Sequence, residues 1–121
     1  MSSYRARLGK RGERLAQEHL RRQGYRILET NFRSREGEID IVAEKDDWLV
    51  FVEVRTRRNA QLGSAEESVT KAKQQRLALL AEGYLQARDS PPPNWRIDVV
   101  AIDVAADGSI ARLEHIENVT G

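Results

Sequence analysis

The sequence predicts an α/β fold, a mixed sheet of about five strands flanked by helices in the order α-β-β-β-α-β-β. Two β-rich runs, within residues 38–43 and 48–55, lie on either side of a short polar turn and predict a hairpin. One stretch of helical periodicity precedes this hairpin, and another separates it from two further strands. The 121 residues are enough for one hydrophobic core, so we expect a single domain over residues 1–121.

The elements of the first half follow from local patterns. The first helix is predicted over residues 8–20, where apolar residues recur near helical spacing and Gly24 provides a stop. Residues 25–32 alternate weakly and are typical of an edge strand. A polar turn at 33–37 leads into the hairpin. The second hairpin strand is apolar on both faces apart from two charged residues, which is expected of a strand in the middle of a sheet.

The second half begins with a long helix, predicted over residues 65–88 and broken by the segment 90–93, which contains three prolines. Residues 96–104 and 109–116 are predicted as the last two strands, joined by a tight turn. A helix between strands indicates one parallel crossover in the sheet. The side chains expected to face inward from the long helix are Val69, Ala72, Leu77, Leu80, Ala81, Tyr84 and Leu85.

The composition excludes several classes of site. The chain has no cysteine, which excludes disulfide frameworks, thiol nucleophiles and thiolate zinc sites, and its two histidines cannot form a zinc site alone. No stretch approaches the roughly 20 apolar residues of a membrane span, and no apolar run follows the first five residues. We therefore expect a cytoplasmic protein without membrane contact.

Charge is distributed unevenly along the chain. Residues 1–35 carry ten Lys and Arg against three Glu, whereas residues 36–121 carry ten basic against sixteen acidic residues. Such asymmetry is typical of a surface that faces a polyanion, joined to an acidic part. A solvated, arginine-rich helix face would give the same pattern, so charge alone leaves both interpretations open.

Asp40 and Glu53 carry the main chemical hypothesis. Side chains alternate along a strand, so Ile39 and Ile41 are expected on one face of their strand and Asp40 on the other. By the same rule, Glu53 is expected on the same face as Arg55. If the two acidic faces coincide, neighbouring strands about 4.8 Å apart bring both carboxylates to one point. A buried pair of like charges is costly without a cation, and hard oxygen ligands suit Mg²⁺ or Mn²⁺.

The backbone carbonyl of Val54 would supply a further ligand to this metal site. The alternative is that Asp40 and Glu53 are acids on the solvent face of the hairpin, as most strand acids are. Glu53 argues against that alternative, because it lies in the most apolar stretch of the chain, where an unpaired charge is unfavourable. Phosphodiester hydrolysis is the chemistry that such a metal site serves.

Gly37-Glu38-Ile39-Asp40-Ile41-Val42-Ala43 and Val50-Phe51-Val52-Glu53-Val54-Arg55-Thr56-Arg57 resemble the signature of the YraN-like uncharacterised bacterial family. That family is regarded as a predicted PD-(D/E)XK nuclease related to archaeal Holliday-junction resolvases. The resemblance implies a restriction-endonuclease-like sheet and covers nearly the whole chain. The segments that extend it are Gly12–Ala16, Gly24–Leu28, Asn31–Arg33, Val69–Gln74 and Arg96–Val100.

The resemblance implies roles for individual residues. Asp40 and Glu53 would be metal ligands, and Glu13 an auxiliary acid that reaches the metal directly or through water. The family's usual lysine two residues after the second acid is Arg55 here. Arginine keeps its charge, so Arg55 would orient water or stabilise charge and would not act as a general base.

Two residues of the second helix complete the implied site. Lys73 would place an amine near the metal, and Gln74 would orient water. The alternative for Lys73 is a solvated lysine on a helix surface. For Glu13 the alternative is a surface acid among arginines.

Arginines at the strand ends are candidates for phosphate binding. Arg33, Arg35, Arg57 and Arg58 flank the acid pair in the sequence, and arginine holds phosphate oxygens bidentately. Neither a recognition-helix motif nor an array of stacking aromatic residues accompanies them, which favours structure-selective or non-specific binding of DNA, with RNA left open. A two-fold symmetric substrate would suit a homodimer.

Three functions fit these residues. The first is a Mg²⁺- or Mn²⁺-dependent endonuclease, resolvase-like in its choice of DNA structure. The second is a non-catalytic nucleic-acid-binding module on the same scaffold, which Arg55 favours. The third is a protein-interaction domain in which the acids are structural.

Overall fold

The computed structural model describes residues 3–58, 65–89 and 94–119. The element order agrees with the predicted α/β layout, except that the second helical region is divided in two. The helices and strands are α1 (Tyr4–Arg22), β1 (Arg26–Ser34), β2 (Gly37–Lys45), β3 (Trp48–Arg58), α2 (Ala65–Ser68), α3 (Lys71–Gln86), β4 (Asn94–Val104) and β5 (Ile110–Ile116).

The five strands form one sheet in the order β1-β2-β3-β4-β5. β3 pairs with β4 in parallel, and the other three neighbouring pairs are antiparallel. The predicted mixed sheet with one parallel crossover is therefore confirmed. β3 and β4 occupy the interior of the sheet, which explains why their sequences read as nearly continuous apolar runs.

A hydrophobic layer covers each face of the sheet. On one face, Ala16 and Leu20 of α1 pack against Val50 and Val52 of β3. On the other, the buried side of α3 packs against Phe51. Because side chains alternate along β3, one strand serves both layers and fixes α1 and α3 on opposite sides.

The predicted long helix is interrupted at Val69 and Thr70. Thr70 is the N-cap of α3, and its side chain accepts a hydrogen bond from the Lys73 backbone N–H at 3.2 Å. Restarting the helix changes which positions face the core, so Ala72 is exposed although the sequence predicted it inward. Leu77, Leu80, Ala81 and Tyr84 are buried as predicted. The predicted break at 90–93 lies outside the described residues.

β2 does not keep strict alternation along its whole length. Ile39 packs with Val42 in the layer beneath α3, whereas Ile41 lies in the layer beneath α1. The expectation that Ile39 and Ile41 share a face was therefore wrong. The backbone pairing of β2 with β3 ends at Ile41, opposite Val52, so the first residues of β2 are not held to the register of β3.

Asp98 is a fully buried acid on β4 that the sequence analysis did not single out. Its carboxylate accepts hydrogen bonds from Arg96 Nε at 3.0 Å and from the Asn118 backbone N–H at 2.9 Å, and it contacts His115 Nε2 at 2.7 Å. Arg96 also donates to the hydroxyl of Tyr25 at 2.7 Å. This satisfied polar network ties the start of β1 to β4 and the chain after β5.

None of the helices among the described residues has the length and apolar character that a membrane crossing requires.

Gly12 sets the distance between α1 and β3. A Cβ atom added at Gly12 would lie 1.8 Å from Thr56 Oγ1, which is too close for two non-bonded heavy atoms. The helix therefore approaches the strand closely only because this position has no side chain. Gly9, one turn earlier in α1, is different, because a Cβ atom there meets nothing within 4 Å.

We expect Gly12→Ala to lower the free energy of unfolding by about 2 kcal/mol, because overpacking against Thr56 outweighs the better helix propensity of alanine. Gly9→Ala, the matched control on the same helix, is expected to raise it by up to about 1 kcal/mol. Urea unfolding followed by circular dichroism measures both. Equal shifts for the two variants would contradict the assigned contact.

Candidate active site

β2 and β3 separate at the two predicted acids. Ile41 and Val52 are the last paired residues, and Asp40 and Glu53 come next on the two strands, just beyond the paired register. Here Asp40 Oδ2 accepts a hydrogen bond from the Val54 backbone N–H at 2.8 Å. A side-chain carboxylate thus takes the N–H of β3 at the point where the backbone ladder has ended. This bond fixes the orientation of the Asp40 side chain.

Burial and a neighbouring negative charge act together on Asp40. Desolvation, followed by the charge of Glu53, raises the pKa of Asp40 to about 7 from its ordinary 3.8. The bond from the Val54 N–H acts in the opposite direction, and the charge of Glu13 adds to the increase. The three acids are therefore close enough to interact electrostatically.

Glu53 is buried, with 7% of its side chain exposed, and two cations compensate its charge. Lys73 Nζ lies 2.5 Å from Glu53 Oε2, and Arg55 Nε lies 3.4 Å from the same oxygen. Arg55 shares a face of β3 with Glu53, because the two residues are two positions apart. Lys73 comes from the first turn of α3, so a helix and a strand supply the two cations.

Glu13 reaches the site from α1. Burial is the main cause that raises the pKa of Glu13; a hydrogen bond with the Asn31 side chain lowers it, and the charge of Glu38 raises it further. Glu13 and Asp40 line the same cavity. The structure therefore places the first-helix acid in a cavity that Asp40 also lines, and not on a solvated helix face.

Two cavities open on either side of Asp40 and Val54, which line both of them. The α1-side cavity has a volume of about 600 Å³. The α3-side cavity has a volume of about 350 Å³. The α1-side cavity is lined by Tyr4, Leu8, Gly9, Glu13, Asp40, Val54, Arg55, Thr56, Arg57, Arg58 and Ser68. The α3-side cavity is lined by Gly37, Glu38, Asp40, Glu53, Val54, Lys73, Arg76, Leu77 and Leu80.

The donor set at the acid pair fits a hard divalent cation. Within residues 3–58, 65–89 and 94–119, no group of three or more His, Cys, Asp or Glu side chains is arranged to hold a metal ion. Mg²⁺ in proteins is commonly held by one or two carboxylates, with water and substrate phosphate completing the shell. Asp40 and Glu53, with the carbonyl of Val54, match that pattern. The raised pKa of Asp40 gives the physical reason, because a cation would relieve the repulsion.

The candidate phosphate-binding arginines fall into two groups. Arg57 and Arg58 line the α1-side cavity, next to Asp40. Arg33 lies 3.7 Å from Glu38, which lines the α3-side cavity, and its side chain is largely exposed. Arg35 is exposed in the β1–β2 turn and lines neither cavity beside Asp40.

Gln74 lies apart from the acids. Its Nε2 donates a hydrogen bond to the Val69 carbonyl at 3.1 Å, across the break between α2 and α3. It lines neither of the cavities that contain Asp40. Its contact with Val69 stabilises the start of the helix that carries Lys73.

The sequence analysis missed several residues that line the site. Arg76 lies on α3 three positions after Lys73 and lines the α3-side cavity, a spacing that places two residues on one helix face. Tyr4 lines the α1-side cavity, yet it precedes the predicted start of the first helix. Helical periodicity would have found Arg76, whereas no local signal pointed to Tyr4.

The sequence comparisons with known proteins all point to one family. The family model described as "Uncharacterised protein family UPF0102" matches residues 12–102. A UPF0102 protein of Roseiflexus castenholzii is 50% identical over 117 residues, which cover 96% of this chain and 94% of that protein. A UPF0102 protein of Symbiobacterium thermophilum is 48% identical over 112 residues, which cover 93% of this chain and 94% of that protein. One of Pelotomaculum thermopropionicum is 43% identical over 118 residues, covering 98% of each.

The raised pKa of Asp40 predicts a specific pH dependence of stability. The native state holds a proton on Asp40 up to about pH 7, whereas the unfolded chain releases it near pH 3.8. The contribution of Asp40 to stability is therefore complete below about pH 4 and is lost as the pH rises through about 7. Asp40→Asn removes this loss. In EDTA, the free energy of unfolding of the variant minus that of the wild type should therefore rise by on the order of 2 kcal/mol between about pH 5 and about pH 8.

Urea unfolding across that pH range measures the gain. Adding Mg²⁺ at about pH 8 should stabilise the wild type and not Asp40→Asn, because only the wild type has the paired carboxylates. The control is Glu82→Gln, an exposed substitution on α3 with the same change in charge, and its stability difference from the wild type should not vary with pH. A stability difference for Asp40→Asn that does not vary with pH would refute the electrostatic assignment.

Proposed function

This chain belongs to the uncharacterised protein family UPF0102, the YraN-like family that its motifs predicted, and we propose that it is a divalent-metal-dependent endonuclease that hydrolyses phosphodiester bonds in DNA. One observation carries the proposal: Asp40 and the buried Glu53 line one cavity where β2 leaves β3, close enough that the charge of Glu53 raises the pKa of Asp40. Acids that repel each other in a partly dry site are retained at a cost in stability, and a catalytic metal site explains that cost.

The acids would hold the metal, and Val54 contributes in two ways. Its N–H fixes the carboxylate of Asp40, and its carbonyl would be a further ligand. When bound, Mg²⁺ or Mn²⁺ would lower the pKa of a bound water and stabilise charge that develops on the phosphate. The Val54 N–H holds the Asp40 carboxylate in place, so little reorganisation of this carboxylate is needed when the substrate arrives.

Lys73 and Arg55 have different tasks beside Glu53. The Lys73 ammonium donates to the Glu53 carboxylate and can turn toward a water or a phosphate oxygen in the α3-side cavity. Arg55 keeps its proton at all working pH values, so it offers fixed positive charge and no base. Lys73 would thereby supply the amine that the family's usual lysine would have placed at position 55.

The arginines support a substrate read through its backbone. Arg57 and Arg58 line the cavity next to Asp40, where they would hold phosphates that flank the scissile one. Phosphate contacts carry no sequence information, so selectivity would come from the structure of the DNA. This supports resolvase-like, structure-selective cutting.

A non-catalytic nucleic-acid-binding module is the second candidate. Arg55 favours it, because the residue at this position cannot act as a base. The same arginines would then bind DNA, and the acids would serve the fold. Binding at low salt without any metal-dependent cutting would select this module, and failure to bind would favour a protein-interaction domain.

The decisive experiment is cleavage of labelled four-way junction, flap, single-stranded and duplex DNA in Mg²⁺ or Mn²⁺, with RNA of the same sequence alongside. We expect Asp40→Asn and Glu53→Gln to lower cleavage by about 100-fold or more, because each removes a metal ligand. Glu82→Gln should cut like the wild type. Equal residual cutting by every variant would indicate a contaminating nuclease and contradict the proposal.

We expect Lys73→Met to separate metal binding from turnover. Lys73 competes with a metal for Glu53, so its removal should tighten metal binding by about tenfold while it lowers the cleavage rate by on the order of 100-fold. Lys71→Met is the matched control, since Lys71 is exposed on the same helix turn. Titration calorimetry with Mn²⁺ and single-turnover cleavage measure the two effects. Weaker metal binding by Lys73→Met would contradict the assigned competition.

A further inference from the structure

The α1-side cavity continues away from the acids. A neighbouring cavity of about 260 Å³ shares Tyr4, Leu8 and Arg58 with it and extends to Arg7 and Arg11. We call the two together the Tyr4 groove. It runs from Asp40 between the first turns of α1 and the end of β3, so a strand that leaves the acids has a continuous path.

Tyr4 lies at the junction of the two cavities and is unusually open for an aromatic residue, with 47% of its surface exposed. Its hydroxyl accepts a hydrogen bond from Arg58 Nη1 at 2.6 Å, and the Arg58 guanidinium lies 5.3 Å from the ring centroid. The second terminal nitrogen of Arg58 donates to the Ala106 carbonyl at 2.7 Å. The ring is therefore held in place by an anchored arginine while much of its surface stays accessible.

The outer part of the groove is positively charged. Arg11 is anchored through a 2.8 Å bond from Nη1 to the Gly108 carbonyl and, with Arg7 and Arg58, lines the outer part. Gly9 lines the inner part without a side chain, and a Cβ atom there would enter open space. Positive charge along a groove that contains an open aromatic ring is the arrangement that binds single strands.

We propose that the Tyr4 groove binds an unpaired stretch of the nucleic-acid substrate, with one base stacked on Tyr4 and the phosphates near Arg7, Arg11 and Arg58. The proposal rests on the proposed function, since the strand is taken to lead from a phosphate at Asp40. Within a duplex each base is covered by its neighbours, so an intact duplex has no free base face to stack on the ring. The preferred substrate would therefore have a single-stranded arm or a splayed end.

The test measures binding in EDTA, where no cutting occurs, by fluorescence anisotropy of a labelled single-stranded DNA of about 12 nucleotides. Tyr4→Leu should weaken binding about tenfold, because base stacking on the ring is lost. Tyr4→Phe keeps the ring and should stay within about twofold of the wild type. A blunt duplex of the same sequence should bind equally to all three proteins. Equal affinity of Tyr4→Leu and the wild type for the single strand would overturn the proposal.

Gly9→Leu provides a second test, in which misfolding cannot explain a loss of binding. The added side chain enters the open groove and improves helix propensity, so the protein should unfold at no lower urea concentration while single-strand binding weakens about tenfold. Gly9→Ala, with one added methyl group, should bind more nearly like the wild type. Unchanged binding by Gly9→Leu would overturn the proposed path.

The groove and the nuclease can fail separately. Tyr4-dependent binding of the single strand by a protein that cuts none of the DNA substrates would support the groove and contradict the endonuclease. Asp40-dependent cutting of a flap or junction with the same KM in the wild type and Tyr4→Leu would support the endonuclease and overturn the groove.

Discussion

Two carboxylates held side by side in a poorly solvated site impose the main constraint on this fold. Asp40 and Glu53 lie just beyond the last paired residues of the β2–β3 hairpin, and they are close enough that the charge of Glu53 raises the pKa of Asp40. Their repulsion is relieved in three ways: Asp40 holds a proton up to about pH 7, the Val54 N–H donates to Asp40, and Lys73 donates to Glu53.

The position of α3 is set by apolar packing. Its apolar side packs against the sheet through Leu77 and Leu80, and this packing sets the helix so that Lys73 reaches Glu53. Thr70 starts the helix at the turn that carries Lys73. Arg55 Nε also lies near Glu53, at 3.4 Å, so the buried acid has one cation from its own strand and one from the helix.

α1 is positioned by a different contact. The absence of a side chain at Gly12 lets the helix settle on Thr56 of β3. That approach places Glu13 in the cavity with Asp40 and, further toward the start of the helix, brings Tyr4 to Arg58. One close contact between a helix and a strand thus sets both the acid end and the basic end of the Tyr4 groove.

The sequence by itself determined the order of elements and the mixed sheet, because these depend on hydrophobic periodicity, and it singled out Asp40 and Glu53 as a candidate pair. Only the tertiary structure decided that Lys73 meets Glu53, that Gln74 bonds to Val69, that Ile39 leaves its expected face and that Asp98 is buried in a polar network. These outcomes depend on packing between elements distant in the chain, such as Tyr4 and Arg58, which are 54 positions apart. Local patterns carry no information on such distances, because the depth at which a helix settles on a sheet is set by side chains on both surfaces at once.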